Sequence, residues 1–276
     1  MKYLQQQGSE VPALGFGTFR MEGRECVDAV NWALEIGYRN IDTAQRYENE
    51  QDVGLALEES NVPRDEIFLT TKIGMANLQP DQVRTSTDDS LNKLRTDYVD
   101  LLLIHWPVKE IPLADTLGAM VELQSEKKAR HIGVCNFTIP MIEEAVDRLG
   151  IRLFTNQIEY HPLLRQETLN QCVFDHDMVL TGHSPIATGR LIENERLKKI
   201  SAKYKKSSAQ VAIRWQLEQD NVMVIPKSKR KEIIAENFDV FDFELSSEDM
   251  AEINSLPRND RGVRPPFEPD WDPNTD

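Results

Sequence analysis

Hydrophobic and polar positions along the chain alternate between short apolar runs and longer amphipathic stretches with helical spacing. The apolar runs predict eight strands, over 13–17, 39–43, 67–72, 99–106, 131–136, 154–159, 179–184 and 222–227. The amphipathic stretches predict eight helices, over 25–36, 49–59, 81–94, 113–128, 138–149, 165–176, 207–218 and 231–238. Eight strand-then-helix units without a Pro-, Gly- or Ser-rich linker favour an α/β fold with one closed parallel (β/α)8 barrel over two open sheets.

Three segments lie outside this repeat. Residues 2–12, with Gly8-Ser9 at their centre, predict a small N-terminal hairpin. Residues 187–204 predict a loop with its own helical turn over the mouth of the barrel. Residues 256–276, rich in proline and charge, predict either a frayed tail or a C-terminal loop over the active-site face. The whole chain, residues 1–276, is predicted to form a single TIM-barrel domain.

Composition narrows the class of protein. At 276 residues and 40% hydrophobic, the chain matches the size of about 250 residues that is typical of such barrels. Its net charge of −14 argues against a nucleic-acid surface, which shows as a basic patch. Cys26, Cys135 and Cys172 lie far apart and outside any Cys-x-x-Cys pair, so no disulfide framework is expected. The polar N-terminus and the lack of a long apolar run favour a cytoplasmic protein, and we expect a monomer without membrane or nucleic-acid partners.

Polar residues end nearly every predicted strand, on the side where such barrels hold their active sites. In a purely structural barrel each polar group would need a buried partner, because an unpaired one costs about 1–3 kcal/mol. A single residue of this kind is more often a satisfied polar group than a catalyst, but a ring of them favours an active site. The ring consists of Gly17-Thr18, Asp42, Lys72, His105, Asn136, Gln157, His183-Ser184 and Lys227-Ser228.

Three kinds of chemistry fit parts of this ring. A metal hydrolase needs converging ligands, but only His105 and His183 lie at the right end and no His-Glu-x-x-His spacing occurs. A Schiff-base aldolase would use Lys72, but that role requires a desolvated lysine rather than one beside Asp42. Proton donation fits better, because Lys72 held by Asp42 is expected to lower the pKa of Tyr47 from about 10. With His105 orienting a carbonyl, these residues would supply the proton that a carbonyl reduction requires.

The hydride that such a reduction also requires would come from a nicotinamide cofactor. The amide side chains of Asn136 and Gln157 are suited to hold its carboxamide. No Rossmann fingerprint is present, because Arg20 stands where a third glycine is required after Gly15-Phe16-Gly17. The dense basic run at 227–231 is therefore the expected phosphate site.

Nine motifs, in order, give the chain a close resemblance to the aldo-keto reductases over nearly its whole length. They are Gly-Phe-Gly-Thr-Phe (15–19), Ile-Asp-Thr-Ala-x-x-Tyr-x-Asn-Glu (41–50), Thr-Lys (71–72), Asp-Leu-Leu-Leu-Ile-His-Trp-Pro (100–107), Ile-Gly-Val-x-Asn-Phe (132–137), Asn-Gln-Ile-Glu-Tyr-His-Pro (156–162), Ser-Pro (184–185), Ile-Pro-Lys-Ser (225–228) and Ala-Glu-Asn-Phe (235–238). Each motif alone is weak, whereas the set is specific. The short loop after Trp106 and the short tail are more similar to prokaryotic members, including the 2,5-diketo-gluconate reductases.

This resemblance implies an NADPH-dependent reductase of aldehydes or ketones, including keto sugars and 2-oxoaldehydes, with NADH as a second candidate cofactor and no metal. It implies that Tyr47 is the general acid in a catalytic tetrad with Asp42, Lys72 and His105. The positions expected to bind the cofactor are Gly17, Thr18, Asp42, Cys135, Asn136, Gln157, His183, Ser184, Pro185, Lys227, Ser228, Arg230, Glu236 and Asn237. The positions expected to line the substrate pocket are Phe19, Tyr47, Met75, His105 and Trp106, with residues 187–192, Phe267 and Trp271.

Four positions depart from the usual pattern of that family. His183 replaces a tyrosine under the nicotinamide ring, and Cys135 replaces a serine that bonds the carboxamide. Glu48 replaces a glycine beside Tyr47, where its charge would raise the pKa of the phenol if close. Ile233 replaces an arginine that clamps the 2′-phosphate, so we expect NADPH to be favoured with weaker discrimination against NADH. These changes leave open an alternative, an NADP(H)-binding regulatory barrel with little catalysis.

Overall fold

The structure is a computed structural model that describes residues 1–272 of the chain. The last part of the predicted tail, residues 273–276, lies outside the described residues. The chain begins with the predicted antiparallel hairpin, formed by β1 (Tyr3–Gln6) and β2 (Ser9–Pro12). Between these two strands, Gln7 Nε2 donates to the carbonyl of Leu153 at 3.0 Å, two residues before a barrel strand begins. The hairpin therefore lies at the end of the barrel opposite its mouth.

Eight parallel strands follow, and each is hydrogen-bonded to the next in chain order. The last strand meets the first through a parallel bridge between Leu14 and Val224, where Gly15 N donates to the Val224 carbonyl at 2.8 Å. The predicted (β/α)8 barrel is confirmed. The strands are β3 (Phe16–Gly17), β4 (Asn40–Asp42), β5 (Phe68–Ile73), β6 (Val99–Ile104), β7 (Ala129–Cys135), β8 (Thr155–Glu159), β9 (Val179–His183) and β10 (Val222–Val224).

The strands could be located from the sequence because barrel strands are covered on both faces. Every residue of β5, β6 and β8 is buried. Strands in that position read as continuous apolar runs rather than as alternating ones. Some of the polar residues that interrupt the runs lie at the ends where the strands open onto the mouth, whereas Asp100, at the other end of β6, is paired with Arg64 and Arg130.

The described residues contain ten α-helices. They are α1 (Gly23–Ile36), α2 (Glu50–Glu59), α3 (Pro80–Leu94), α4 (Leu113–Ser125), α5 (Ile139–Glu143), α6 (Glu167–Asp175), α7 (Glu195–Tyr204), α8 (Ser208–Leu217), α9 (Lys231–Phe238) and α10 (Ser247–Asn254). None of the helices in residues 1–272 is long and apolar enough to cross a membrane.

Three of these helices differ from the sequence prediction. The predicted helix over 138–149 is α5 followed by a π-helix at Glu144–Arg148, a change of winding that apolar periodicity does not reveal. The predicted loop over 187–204 contains α7 rather than a single helical turn. Helix α10 is not predicted, although Ser246 caps it by accepting from Asp249 N at 3.1 Å, a recognisable start signal.

The tail, residues 256–272, crosses to the mouth of the barrel. It first pairs with the loop after β8, where Asp260 N donates to the Leu163 carbonyl at 3.0 Å. Further along, the Phe267 ring lies 5.4 Å from the Trp106 ring, between centroids, and Ile139 N donates to Asp272 Oδ2 at 2.9 Å. Of the two predicted alternatives, the tail is a C-terminal loop over the active-site face.

Candidate active site

Asp42, Lys72 and Tyr47 form one hydrogen-bonded group at the mouth. Asp42 ends β4 and Lys72 lies one residue before the end of β5, its parallel neighbour. Lys72 Nζ lies 2.5 Å from Asp42 Oδ1 and 3.2 Å from the Tyr47 hydroxyl, and it donates to the Thr43 carbonyl at 2.9 Å. Lys72 is 0% exposed, whereas Tyr47 is half-buried. The phenol therefore lies between a buried cation and the open mouth.

A short 3-10 helix, Gln45–Tyr47, carries the phenol, and Gln45 fixes it in place. The Gln45 side chain accepts from Gly74 N at 2.9 Å and donates to the Ser86 carbonyl at 3.2 Å. These bonds join the loop after β4 to the loop after β5 and to α3. Sequence reasoning did not single out Gln45, whose partners lie far along the chain.

Burial and charge set the protonation states of Lys72 and Tyr47. Burial acts to lower the pKa of Lys72, but Asp42 and Tyr47 outweigh it and raise the pKa above its usual value. Burial raises the pKa of Tyr47 to about 12, against the opposing charge of Lys72. Lys72 lowers this pKa, as predicted, but the net shift is upward, because the loss of water around the phenol outweighs one cation. Tyr47 therefore stays protonated at neutral pH.

His105 follows β6 and faces the phenol. Its ring lies 5.5 Å from the Tyr47 ring, between centroids, at an interplanar angle of 79°. Burial, with the charges of Lys72 and Arg46, lowers the pKa of His105 well below its usual value. Its Nδ1 is buried without a hydrogen-bond partner among the described residues, and its backbone carbonyl accepts from Asn136 Nδ2 at 3.0 Å. A neutral imidazole of this kind donates from one nitrogen only.

Two predicted cofactor residues, Gln157 and Thr18, bond Asp42 directly. Gln157 Nε2 donates to Asp42 Oδ2 at 2.8 Å, and the Thr18 hydroxyl donates to the Asp42 carbonyl at 3.0 Å. The first bond fixes the carboxylate that holds Lys72, and the second fixes the backbone of Asp42. Cys135, at the end of β7, is buried and near Lys72, although burial raises the pKa of its thiol far above the usual range. Its neighbour Asn136, at φ +60°, is also buried.

Three further predicted cofactor positions lie at and just after the end of β9. His183 is half-buried, and its Nδ1 lies 3.1 Å from Ser184 Oγ. Burial lowers the pKa of His183 to about 4, against the raising effect of Glu159. The imidazole is therefore neutral at pH 7. Pro185 follows, and its carbonyl accepts from Gln216 Nε2 at 3.0 Å.

Glu48, the unusual neighbour of Tyr47, is not among the main causes of the pKa shift of the phenol. Its backbone is left-handed at φ +58°, a conformation that suits glycine. The Glu48 side chain is exposed, so its charge is screened by water. The structure thus assigns the raised pKa of Tyr47 to burial and Asp42 rather than to Glu48.

The basic run after β10 contains paired and unpaired cations. Three of its cations have carboxylate partners: Lys229 with Glu25 (2.6 Å), Lys231 with Glu35 (3.1 Å) and Arg230 with Glu232 (3.9 Å). Lys227 forms no ion pair among the described residues, and its pKa is lowered by burial and by the like charges of Lys229 and Arg20. Cations that lie close together without a counter-ion favour the binding of an anionic ligand. Arg20 is thus a candidate that sequence reasoning missed, although it is the cation next to the 15–19 motif.

The other residues predicted to bind the cofactor here lie in and just before α9 and at the end of β3. Ser228 Oγ accepts from Arg230 N at 3.1 Å, so the hydroxyl oxygen lies beside the helix start. Ile233 is half-buried in the first turn of α9, at the position where the family pattern has arginine. Glu236 is half-buried and Asn237 is buried in the same helix. Gly17, at the end of β3, packs against the Ile225 carbonyl, which a Cβ would approach to 3.1 Å.

Aromatic side chains border the opening above the phenol. The Phe19 ring lies 5.0 Å from the Tyr47 ring, between centroids, and Phe19 is exposed. Trp106 is buried against Phe267 of the tail. Met75 begins a 3-10 helix after β5 and is half-buried. The other predicted tail residue, Trp271, lies with its ring 3.7 Å from Arg261 Cζ.

Glu159 attaches the tail to the barrel, a role that sequence reasoning missed. It ends β8, is 1% exposed, and accepts from Gly262 N at 2.9 Å and Val263 N at 2.8 Å. His161 Nε2 lies 2.9 Å from Glu159 Oε1. Burial acts to raise the pKa of Glu159, but the bonds from His161 and Val263 and the nearby His183 lower it to about 2. The sequence signal for this role was a glutamate at the end of a strand whose residues are all buried.

Comparison with known proteins gives consistent matches over nearly the whole chain. The sequence model of the Aldo/keto reductase family matches residues 13–258. Methylglyoxal reductase DkgB of Escherichia coli O157:H7 is 41% identical over 266 residues, which cover 95% of this chain and 99% of that protein. Glyoxal reductase of Bacillus subtilis (strain 168) is 42% identical over 255 residues, covering 92% of each. A crystal structure named for 2,5-diketo-D-gluconic acid reductase B superposes with a TM-score of 0.96 at 42% identity, covering 99% of this chain and 98% of that one.

Proposed function

The chain belongs to the Aldo/keto reductase family, and from that membership we propose that it reduces 2-oxoaldehydes and related small carbonyl compounds to alcohols with NADPH. The family and the names of its relatives make it an oxidoreductase that acts on carbonyl compounds. The observation that carries the proposal is the contact of 3.2 Å between the buried Lys72 ammonium and the Tyr47 hydroxyl. Relatives named for methylglyoxal and glyoxal support the substrate class, and the structure named for a diketogluconic acid reductase extends it to keto sugars.

In the proposed mechanism Tyr47 donates a proton to the carbonyl oxygen of the substrate. Lys72 stabilises the phenolate that remains, and Asp42 keeps Lys72 charged and in place. His105 is neutral, so it orients the carbonyl oxygen by a hydrogen bond without adding charge. When bound, NADPH supplies the hydride that the carbonyl carbon accepts.

The residues present fit such a cofactor. Lys227 and Arg20 have no carboxylate partner among the described residues, although the chain is strongly acidic. We propose that Lys227 and Ser228, with Arg230, hold the 2′-phosphate, which makes NADPH the preferred cofactor. We assign the carboxamide to Asn136 and Gln157 with Cys135 beside them, and the ring to His183. The remaining contacts are assigned to Gly17, Thr18, Asp42, Ser184, Pro185, Glu236 and Asn237.

The alternatives considered from the sequence are less well supported. The reductase names of the relatives do not favour a regulatory barrel with little catalysis. A Schiff-base aldolase needs a neutral lysine, whereas the pKa of Lys72 is raised by Asp42. We also propose, on composition and on the lack of a linker, that residues 1–276 form one domain and that the protein is a cytoplasmic monomer.

Replacing Tyr47 by phenylalanine tests this mechanism. Tyr47→Phe removes the acid and is expected to lower kcat by at least about 100-fold, the usual contribution of a positioned general acid. NADPH affinity, measured by protein fluorescence, should stay near the wild-type value. Tyr3→Phe, a matched change on the exposed face of the hairpin, should keep wild-type turnover. Wild-type turnover in Tyr47→Phe would exclude the proposed mechanism.

A further inference from the structure

Arg46 is a cation at the mouth that has no counter-ion. It is exposed, and none of its guanidinium nitrogens comes within 4.0 Å of a carboxylate in residues 1–272. Other exposed arginines of this acidic chain form such pairs, for example Arg24 with Asp28 and Arg95 with Glu58. An unpaired arginine on a protein with a net charge of −14 therefore needs a specific explanation.

The position of Arg46 is fixed by both neighbours in the chain. Gln45 bonds Gly74 and Ser86 on one side, and Tyr47 contacts Lys72 on the other. The guanidinium carbon lies 4.8 Å from the centre of the Phe267 ring, a contact that holds a cation against an aromatic face. The guanidinium is thus held beside the tail rather than free in solvent.

The same contacts place Arg46 on the substrate side of the mouth. Phe267, which Arg46 covers, packs against Trp106, a residue of the predicted substrate pocket. The charge of Arg46 also reaches His105, since it is one of the charges that lower the pKa of that imidazole. Lys72 is already balanced by Asp42 at 2.5 Å. Arg46 therefore remains as a cation near the reacting carbonyl whose charge is not offset.

We propose that Arg46 binds the carboxylate of the substrate, so that the enzyme prefers oxo acids to neutral carbonyl compounds of the same length. This inference rests on the proposed function and narrows its substrate class. The planar guanidinium suits a carboxylate because it presents two parallel N–H donors. The carboxylate takes no part in the reduction, in which the carbonyl carbon gains the hydride of NADPH and the oxygen gains the proton of Tyr47.

The test compares 4-oxobutanoate with its methyl ester, which has the same aldehyde but no charge. The measured quantity is the ratio of kcat/KM for the acid to kcat/KM for the ester, within each variant, so that any general effect on turnover cancels. We expect a ratio of about 10 or more in the wild type, equivalent to about 1.4 kcal/mol, and a ratio near 1 in Arg46→Gln. The wild-type ratio should also fall as salt rises from about 0.02 to 0.5 M.

Arg152→Gln is the matched control, because it removes the same charge from the opposite end of the barrel. Arg152 lies before β8, is 71% exposed and pairs only weakly with Asp177 at 3.2 Å. Its ratio should equal that of the wild type. A wild-type ratio near 1, or a ratio that survives Arg46→Gln, would overturn the role of Arg46 while reduction of the ester left the proposed function intact. Failure to reduce either compound with NADPH or NADH would overturn both.

Discussion

Removing the charge of Glu159 is expected to release the tail from the mouth without unfolding the barrel. Glu159→Gln keeps the size of the side chain but replaces one acceptor oxygen by an N–H2 group. That group cannot accept, so a single oxygen remains for Gly262 N, Val263 N and His161 Nε2, which now share two carboxylate oxygens at 2.8–3.1 Å. We expect residues 260–264 to open more often, because these bonds attach the tail to β8.

The magnitude follows from the pKa of Glu159, which falls from a usual value near 4.5 to about 2. At about 1.4 kcal/mol per pKa unit, the ionised carboxylate stabilises the folded protein by about 3 kcal/mol more than its protonated form does. Because the pKa in the folded protein is depressed, this stability is fully present above about pH 4.5 and is lost as the pH falls through about 2. Glu159→Gln should therefore lack this stabilisation at neutral pH, where the wild type has it in full.

Hydrogen exchange of the Gly262 and Val263 amides is the direct assay. Because His161 and His183 supply part of the pKa shift, about 3 kcal/mol is the upper bound of the loss in the free energy of opening, and exchange should become faster by up to roughly 100-fold, if opening is local. Amides of β6, which is buried in the barrel, should not change. Glu122→Gln is the control, since Glu122 is 55% exposed and pairs with Arg84 of α3 rather than with a residue of the tail. Unchanged exchange of the two tail amides in Glu159→Gln would refute the role given to this carboxylate.

Two further predictions concern proton transfer and the cofactor. Burial raises the pKa of Tyr47 to about 12 and lowers the pKa of His105, so the phenol stays protonated and the imidazole stays neutral near pH 7. We therefore expect kcat/KM for a neutral aldehyde to be constant between about pH 6 and 9. An inflection in that range would contradict these protonation states. Lys227→Ala should remove a preference for NADPH over NADH of at least about tenfold, or about 1.4 kcal/mol, in a fluorescence titration. Lys229→Ala, whose ammonium is already paired with Glu25, should keep that preference; equal affinities in the wild type would show that Ile233 has removed the clamp.

Two residues of β8 show which parts of the site can be predicted from the sequence and which cannot. Gln157 is predicted in the site because it ends an apolar run, and parallel strands bring their ends to one face of a barrel. Glu159, two residues later, could not be assigned, because its partner Gly262 lies 103 residues away in a tail without periodicity. The net shift of the Tyr47 pKa could not be predicted for a related reason. The types of its neighbours were known, but the depth at which they lie decides whether burial or charge prevails.

The distribution of ion pairs gives a physical reason for the charge of the mouth. A net charge of −14 opposes the approach of a phosphorylated cofactor or an oxo acid at long range. Beyond about 8 Å in physiological salt, however, exposed charges are largely screened, so an arriving anion responds mainly to the nearest groups. Arg20, Arg46 and Lys227 follow β3, β4 and β10, which are neighbours around the barrel, and within residues 1–272 none of these cations has a carboxylate partner. These three cations therefore keep an uncompensated charge at one opening, and under the proposals above they would let an acidic protein bind two anions there.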